Sequence, residues 1–316
     1  MKKFLLSILL FLVLLVAGVI VLFLIPVDRK YAYDFLSKGG CKGRPPWIYQ
    51  RIFEDTTNID IAFIGTSHTM CAVNDEWMQK LIFDSTGKSI SCRNLSFCGY
   101  GRDYDYVVIK DLIEHKKVKA LVLEIREEEP QLGHLAFPYI SSTQDLFKAP
   151  KYFNRSYLPA IYKAFIFRLQ YLRELFTHED IKHKTDISTS PFGFNGTNAS
   201  ADENELRKNM VRAQKREKNK ISVIENALNA PSLFYVKKIS KLAKSKQVKL
   251  FFLYLPAYSG QADRKEIEAT YSSLGKIISP EEKVLQDKIN WADNQHLNLR
   301  GAEKISQQLV SAVDSI

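Results

Sequence analysis

Three short blocks hold the residues with the most chemical character. In Gly65-Thr66-Ser67-His68-Thr69 a glycine follows an apolar run, and a serine falls where the next helix should begin. Placed there, the hydroxyl is exposed and the first helical amides favour a developing negative charge. A serine or threonine at a helix start is also the usual N-cap, so the block alone fits either role. In Asp293-Asn294-Gln295-His296-Leu297 a carboxylate stands three residues ahead of a histidine. It can turn back to accept the Nδ1 proton and leave Nε2 free as a base. That is what a serine needs to attack an acyl carbon, although a helix cap beside a surface histidine gives the same pattern. The third block is Asn94-Leu95-Ser96-Phe97-Cys98-Gly99. Its glycine lets a backbone amide approach a reacting oxygen, or simply makes a turn.

The elements around these blocks alternate. Residues 59–64 form a β-branched apolar run, 75–83 a helix, 89–95 a weaker strand, 104–115 a helix and 118–125 a strong apolar strand. The pattern resumes with a helix over 232–245, a strand over 248–255, a helix near 265–275, a short extended piece near Val284 and a last helix from Leu299 to about Val313. Continuous apolar strands separated by helices predict a parallel sheet covered on both faces. In such a sheet ligands bind beyond the carboxyl ends of the strands, where all three blocks fall. Residues 126–231 break the alternation and read as an insertion. Within it, 160–176 places Ile161, Phe165, Leu169, Leu172 and Phe176 at helical spacing with Lys163, Arg168 and Arg173 elsewhere on the turn. That helix suits packing against the sheet or over the site, or a membrane surface or partner.

Residues 4–25 carry no charge and only Ser7 as a polar side chain, and they follow Lys2 and Lys3. The run is long enough to cross a hydrocarbon layer of about 30 Å and lacks a clear cleavage site before Pro26, so 1–25 reads as an uncleaved anchor, with a cleaved signal as the alternative. The expected arrangement is a short cytoplasmic end and an external domain. Residues 26–58, with Gly39-Gly40 and Pro45-Pro46, read as a linker leading into a domain over 59–316. Cys41, Cys71, Cys92 and Cys98 allow three pairings in an oxidising compartment or four buried small side chains, and no pair has zinc-site spacing. Lys and Arg number 45 against 35 Asp and Glu, a net +10 concentrated at 207–220 and 237–249. Such runs attract anionic headgroups or polymers, or form a solvated helix face; a chain anchored outside the cytoplasm rarely meets nucleic acid.

In their order along the chain, Ser67 after the first strand, Asn94 with Gly99 after the second, and Asp293 with His296 near the C-terminal end resemble the SGNH (GDSL-like) hydrolase superfamily. The stretch from Asp293 to Gly301 is similar to the terminal Asp-x-x-His-Leu block of its membrane-anchored DltD-like and polysaccharide O-acyltransferase members. The resemblance covers 59–125 and 248–313. It implies a three-layer, flavodoxin-like α/β fold of SGNH type, with a long insertion after the third strand and an N-terminal transmembrane helix. It further implies Ser67 as nucleophile, His296 as base and acid, Asp293 as its orienter, and the amides of Ser67 and Gly99 as oxyanion donors, with Asn94 in support; His68, next to the serine but pointing elsewhere at a helix start, reads as a supporting residue at best. Thr66 replaces the usual aspartate of the serine block. The third strand leads into Leu123-Glu124-Ile125-Arg126, without the asparagine that supplies another oxyanion donor, a group worth about 2.7–4 kcal/mol. Arg126, His134 or another group is then the replacement, or the site is slow or dead. His134 also precedes Ala136-Phe137-Pro138-Tyr139, a wall for a pocket, whereas His115, His178 and His183 sit among charges and read as exposed.

The function so implied is a membrane-tethered, extracytoplasmic serine acyltransferase or esterase acting on a cell-envelope polysaccharide or related polymer. It works through an acyl-serine without cofactor or metal, and the acyl group comes from a membrane-embedded partner protein. Two alternatives share the residues: a small-ester or lipid hydrolase, and a non-catalytic adaptor whose basic insertion binds an anionic glycan or an assembly partner.

Overall fold

A computed structural model describes residues 1–37, 41, 43–126, 129–177, 187–218, 222–258, 260 and 264–313. Strands β1 (Ile61–Ile64), β2 (Cys92–Asn94), β3 (Ala120–Ile125), β4 (Lys249–Tyr254) and β5 (Lys276–Ile278) form one parallel sheet. Their spatial order is β2-β1-β3-β4-β5, the flavodoxin-like winding of an α/β fold. Before the sheet come α1 (Lys2–Leu24), α2 (Arg29–Leu36) and α3 (Arg44–Tyr49). Within it lie α4 (Ser67–Ala72), α5 (Asp75–Thr86) and α6 (Arg102–His115). The stretch between β3 and β4 holds α7 (Phe137–Ile140), α8 (Thr143–Phe147), α9 (Tyr157–Thr177), α10 (Glu203–Lys218) and α11 (Ser222–Ser245). The chain closes with α12 (Arg264–Tyr271), α13 (Glu282–Gln286) and α14 (Leu299–Val313).

Side chains of a strand alternate between the two faces, so one apolar run supplies two cores. Ala62, Ile64, Leu121, Leu123 and Ile125 pack with Val107, Val108 and Leu112 of α6 and Val236 and Ile239 of α11. Ile61, Phe63, Ala120 and Val122 pack with Met78 and Ile82 of α5 and Ile305, Leu309 and Val313 of α14. Glu124 shares the second parity, which aims a buried carboxylate at the layer that contains α4.

Several elements differ from their sequence-based expectation. Residues 26–58, expected as a linker, contribute Tyr33, Trp47, Ile48 and Ile52 to the core. Pro45 and Pro46 occupy the first turn of α3, where a missing N–H costs no intrahelical bond and the fixed φ suits a helix. The last strand is 276–278, not the piece near Val284, which lies in α13. The crossover helix α11 starts at Ser222 and runs through Pro231. A proline there deletes one hydrogen bond, yet the turns beyond it are held by Tyr235, Val236 and Ile239 in the core. Helix α9 packs on α2 and α7 and covers neither the sheet nor the serine block: Phe167 meets Phe35 at 4.8 Å and Tyr139 at 5.2 Å between ring centroids.

Helix α1 is long and apolar enough to cross a membrane, and only Leu22 and Phe23 near its end are buried in the protein. His178 and His183 lie outside the described residues, as do the side chains of the basic run from Arg212 to Lys220. Of the pairings open to the four cysteines, Cys41 bonds to Cys98, and Cys71 and Cys92 are buried thiols whose ionisation is pushed up to about 11 and about 12 by burial. The disulfide ties the segment before α3 to the loop after β2 across a separation of 57 residues. Loop-closure entropy makes such a link worth about 2–4 kcal/mol. The double variant Cys41→Ala/Cys98→Ala is expected to lose stability of that order in denaturant titration while keeping the far-ultraviolet dichroism of the folded chain. An unchanged midpoint would show that the bond is absent or unimportant.

Candidate active site

The serine block turns sharply because of one buried acid. Glu124, 2% exposed at the carboxyl end of β3, accepts from the Thr66 amide (2.7 Å) and from the Thr69 hydroxyl (2.6 Å) and amide (3.3 Å). The Thr66 hydroxyl donates to both of its oxygens at 3.0 and 3.1 Å. Burial pushes this carboxyl up, against the opposing pull of the Thr69 and Thr66 hydrogen bonds and of Arg102. Gly65 permits the approach, since a Cβ there would sit 2.5 Å from Glu124 Oε2. Thr66 also caps α4 by accepting from the His68 amide at 3.1 Å. Ser67 is therefore the first residue of α4, and its amide belongs to the group with no intrahelical acceptor.

The histidine block is a tight loop set against the start of α14. Trp291 and Leu297 form an antiparallel bridge, and the Ala292 amide donates to the His296 carbonyl at 2.8 Å. Asn298 closes the loop: its Nδ2 donates to the Ile289 carbonyl (2.8 Å), and its Oδ1 accepts from the Gly301 amide (3.1 Å) as the cap of α14. Inside the loop, Asp293 Oδ1 accepts the amides of Gln295 (2.7 Å) and His296 (2.8 Å), which leaves Oδ2 for the imidazole.

The two blocks meet. His296 Nδ1 lies 2.8 Å from Asp293 Oδ2, and His296 Nε2 lies 2.8 Å from Ser67 Oγ. A carboxylate only accepts, so Nδ1 carries the proton and Nε2 accepts from the serine hydroxyl. For Asp293, burial raises the carboxyl, but the His296 side chain and the amides of Gln295 and His296 outweigh it and bring the group down to about 2. It stays charged wherever the imidazole has to take up a proton. The His68 ring lies 5.3 Å from that of His296, tilted by 51°, and is held well below the usual histidine range by burial, then by Arg126 and His296 itself. A neutral His68 does not oppose protonation of its neighbour.

The remaining expected residues have other partners. Asn94 is fully buried, and its Nδ2 donates to the carbonyls of Thr69 (2.9 Å) and Val73 (2.8 Å), bracing the end of α4. His134 Nδ1 accepts from the Ala136 amide (2.9 Å), and Nε2 donates to the Cys98 carbonyl (2.9 Å). With both nitrogens engaged, His134 does not replace the absent asparagine donor; it supports the loop that carries Gly99. Burial keeps it neutral, with ionisation lowered to about 4. Its ring does line a small cavity with Phe137 and Pro138. Gly99 has φ +96°, a conformation that favours glycine. Arg126 sits 4.9 Å over the Tyr100 ring, and the Tyr100 hydroxyl lies 3.4 Å from His68 Nε2, so Arg126, Tyr100 and His68 form one rim.

Two contributions were missed in the sequence. Glu124 is one; a lone carboxylate in an apolar strand, with hydroxyl residues at Thr66 and Thr69, was the available signal. The other is the stretch 193–201, which crosses both blocks: the Asn195 amide donates to the Met70 carbonyl (3.0 Å), and the Leu299 amide donates to the Thr197 carbonyl (2.9 Å). Buried Asp75 anchors it by accepting the amides of Gly193 (2.9 Å), Phe194 (3.0 Å) and Asn94 (2.8 Å).

No family model and no curated protein matches the chain. Among solved structures, it is similar to a Bacteroides fragilis protein assigned as an acylhydrolase, at 10% identity over 84% of this chain and 94% of that one, with a TM-score of 0.37. It is similar also to a lipase from a goat rumen metagenome (12% identity, 81% and 98% covered, TM-score 0.36) and to a GDSL-like lipase of Bacteroides thetaiotaomicron (7%, 81% and 88%, 0.34). At such low identity and overlap, the chemistry of this chain rests on its own site geometry.

Glu124→Ala would leave the amides and hydroxyls of Thr66 and Thr69 without their acceptor, each group left buried and unpaired costing about 1–3 kcal/mol. Denaturant unfolding is expected to show a loss of about 3 kcal/mol or more, and Glu124→Gln, which keeps one acceptor oxygen, a smaller one. A wild-type midpoint in Glu124→Ala would mean that the acid does not hold the turn.

Proposed function

We propose that the chain is a serine esterase or acyltransferase with Ser67 as nucleophile, His296 as base and acid, and Asp293 as its orienter. The observation that carries this reading is the hydrogen-bonded series Asp293, His296, Ser67, with each contact at 2.8 Å. In the first half-reaction Ser67 Oγ forms a bond to the carbonyl carbon of an ester while its proton passes to His296 Nε2. The resulting oxyanion is stabilised by the amides of Ser67 and Gly99. Collapse breaks the bond to the leaving alkoxide, which takes the proton from His296, and an acyl-Ser67 remains. An acceptor hydroxyl, or water, then loses its proton to His296, attacks the acyl carbon and regenerates the serine. The balance needs no other reactant.

The setting follows from features outside the site. An apolar helix leads directly into the domain, which favours a tethered protein, and the Cys41–Cys98 bond suits an oxidising compartment outside the cytoplasm. Those two features, with the terminal Asp-x-x-His-Leu block, favour a cell-envelope polysaccharide or related polymer as acceptor, with the acyl group supplied by a membrane-embedded protein. Arg126 over the Tyr100 ring, and Tyr100 against His68, form a polar border near His296 on which a polymer acceptor could rest.

Turnover of an ester reporter by the full-length protein tests the assignment. Ser67→Ala and His296→Ala are each expected to lose activity by about 10³-fold or more, and Asp293→Asn by a smaller factor, at unchanged stability. Equal turnover in all four proteins would remove the enzyme and leave a tethered adaptor.

A further inference from the structure

Helix α9 carries apolar stripes on two opposite sides. At about 100° per residue, Ala160, Ala164, Phe167 and Tyr171 share one face. That face is packed: Phe167 meets Phe35, and the Tyr171 ring lies 4.7 Å from Tyr31. Leu158, Tyr162, Ile166, Leu169 and Phe176 fall on the other side, and they are 72, 66, 43, 45 and 82% exposed. A surface helix in water turns polar residues outward, and α9 turns a regular row of large apolar ones.

The end of the apolar helix α1 rests against the middle of α9. Arg168 of α9 donates to the Ile25 carbonyl at 3.0 Å and to the Thr143 hydroxyl at 3.1 Å, and its guanidinium lies 5.3 Å over the Phe23 ring. Phe23 also meets Phe147 edge-on at 5.1 Å, and Thr143 donates to the Phe23 carbonyl. Helix α1 thus ends directly against α9, which keeps the exposed row close to any bilayer that holds α1. Its charge is complementary to an anionic surface: Lys148, Lys151 and Arg155 are exposed in the segment leading into α9 and Arg173 is exposed on it, and Glu174, the lone acid between residues 148 and 177, is engaged by Gln170 at 2.7 Å and by Arg173 at 3.9 Å.

From this juxtaposition we propose that the outward face of α9 lies in the headgroup layer of the membrane that α1 crosses, with anionic phospholipid as its partner. The proposal rests on α1 being an anchor. Apolar side chains of such a helix reach the acyl boundary while lysine and arginine heads stay among the phosphates. The first turn of α9 joins this face to the reaction site. Tyr157, Pro159, Ala160 and Lys163 share a cavity with His134, whose ring holds the Cys98 carbonyl beside Gly99. Docking therefore fixes the height at which the Gly99 loop stands above the lipid and favours an amphiphilic acyl donor over one free in solution.

The test uses full-length protein reconstituted in vesicles of phosphatidylcholine and phosphatidylglycerol that contain spin-labelled quencher lipids. An environment-sensitive fluorophore is placed in separate Leu14→Cys, Ile166→Cys and Glu303→Cys proteins; native cysteines are bonded or buried. Leu14 reports the anchor, Ile166 the outward face of α9, and Glu303 the exposed side of α14. Fluorescence loss is expected at positions 14 and 166 and not at 303, with the loss at 166 reduced when phosphatidylglycerol is omitted. Leu169→Cys gives a second reporter on the same row and should behave like 166. Quenching at 14 without quenching at 166 or 169 overturns the docking and leaves the anchor in place. Quenching at none of these positions removes the anchor and the docking together. Protection at 166 that requires an added membrane-protein fraction overturns the lipid assignment in favour of a protein partner.

Discussion

A single hydrogen bond between residues 229 positions apart, His296 Nε2 to Ser67 Oγ, is the contact around which the molecule is arranged. Neither group can reach the other through local structure. Ser67 stands at the exit of the strand β1, and His296 hangs from a loop ahead of the helix that covers the same sheet face. The bond exists because β1 is interior to the sheet and α14 packs against α4 and α5, so that both loops rise at one carboxyl edge. Glu124 then sets the angle of the serine turn and Asp293 the angle of the imidazole. One acid is sealed in the protein, and the other is half-exposed and strongly ionised; the first builds shape and the second holds charge.

That division bears on the missing asparagine. The end of β3 spends its polar residue on the turn beneath the serine, so it offers no side-chain donor above it. In the proposed mechanism two backbone amides serve the oxyanion, those of Ser67 and Gly99. With one donor fewer worth about 2.7–4 kcal/mol in transition-state stabilisation, a slow enzyme is compatible with this construction.

Much of the arrangement was legible in the sequence, for identifiable reasons. Continuous β-branched runs give buried parallel strands, and a glycine followed by a serine at a strand exit marks the site edge. The spacing of Asp293 and His296 matches a one-loop carboxylate–imidazole pair. What sequence reasoning missed depended on partners distant in the chain. Glu124 reads as a blemish in an apolar strand until Thr66 and Thr69 are placed above it. Asn94 and His134 have side chains suited to a reacting centre, yet buried carbonyls and amides claim them first. Pro45-Pro46 reads as a break but starts a helix, since proline is harmful in a helix interior and favourable in its first turn. The sequence shows one apolar stripe on α9, from Ile161 to Phe176, whereas the face that is buried, with Ala164 and Phe167, follows from the positions of Tyr31 and Phe35.

Covalent trapping addresses the central claim most directly: treat the intact protein with an aryl or alkyl fluorophosphonate, digest it and map the phosphonylated peptide by mass spectrometry. The structure leads to one adduct, on Ser67, that forms rapidly in the wild-type chain and far more slowly in His296→Ala. A folded wild-type protein that remains unmodified at Ser67, or that reacts equally well without the imidazole, would contradict the account.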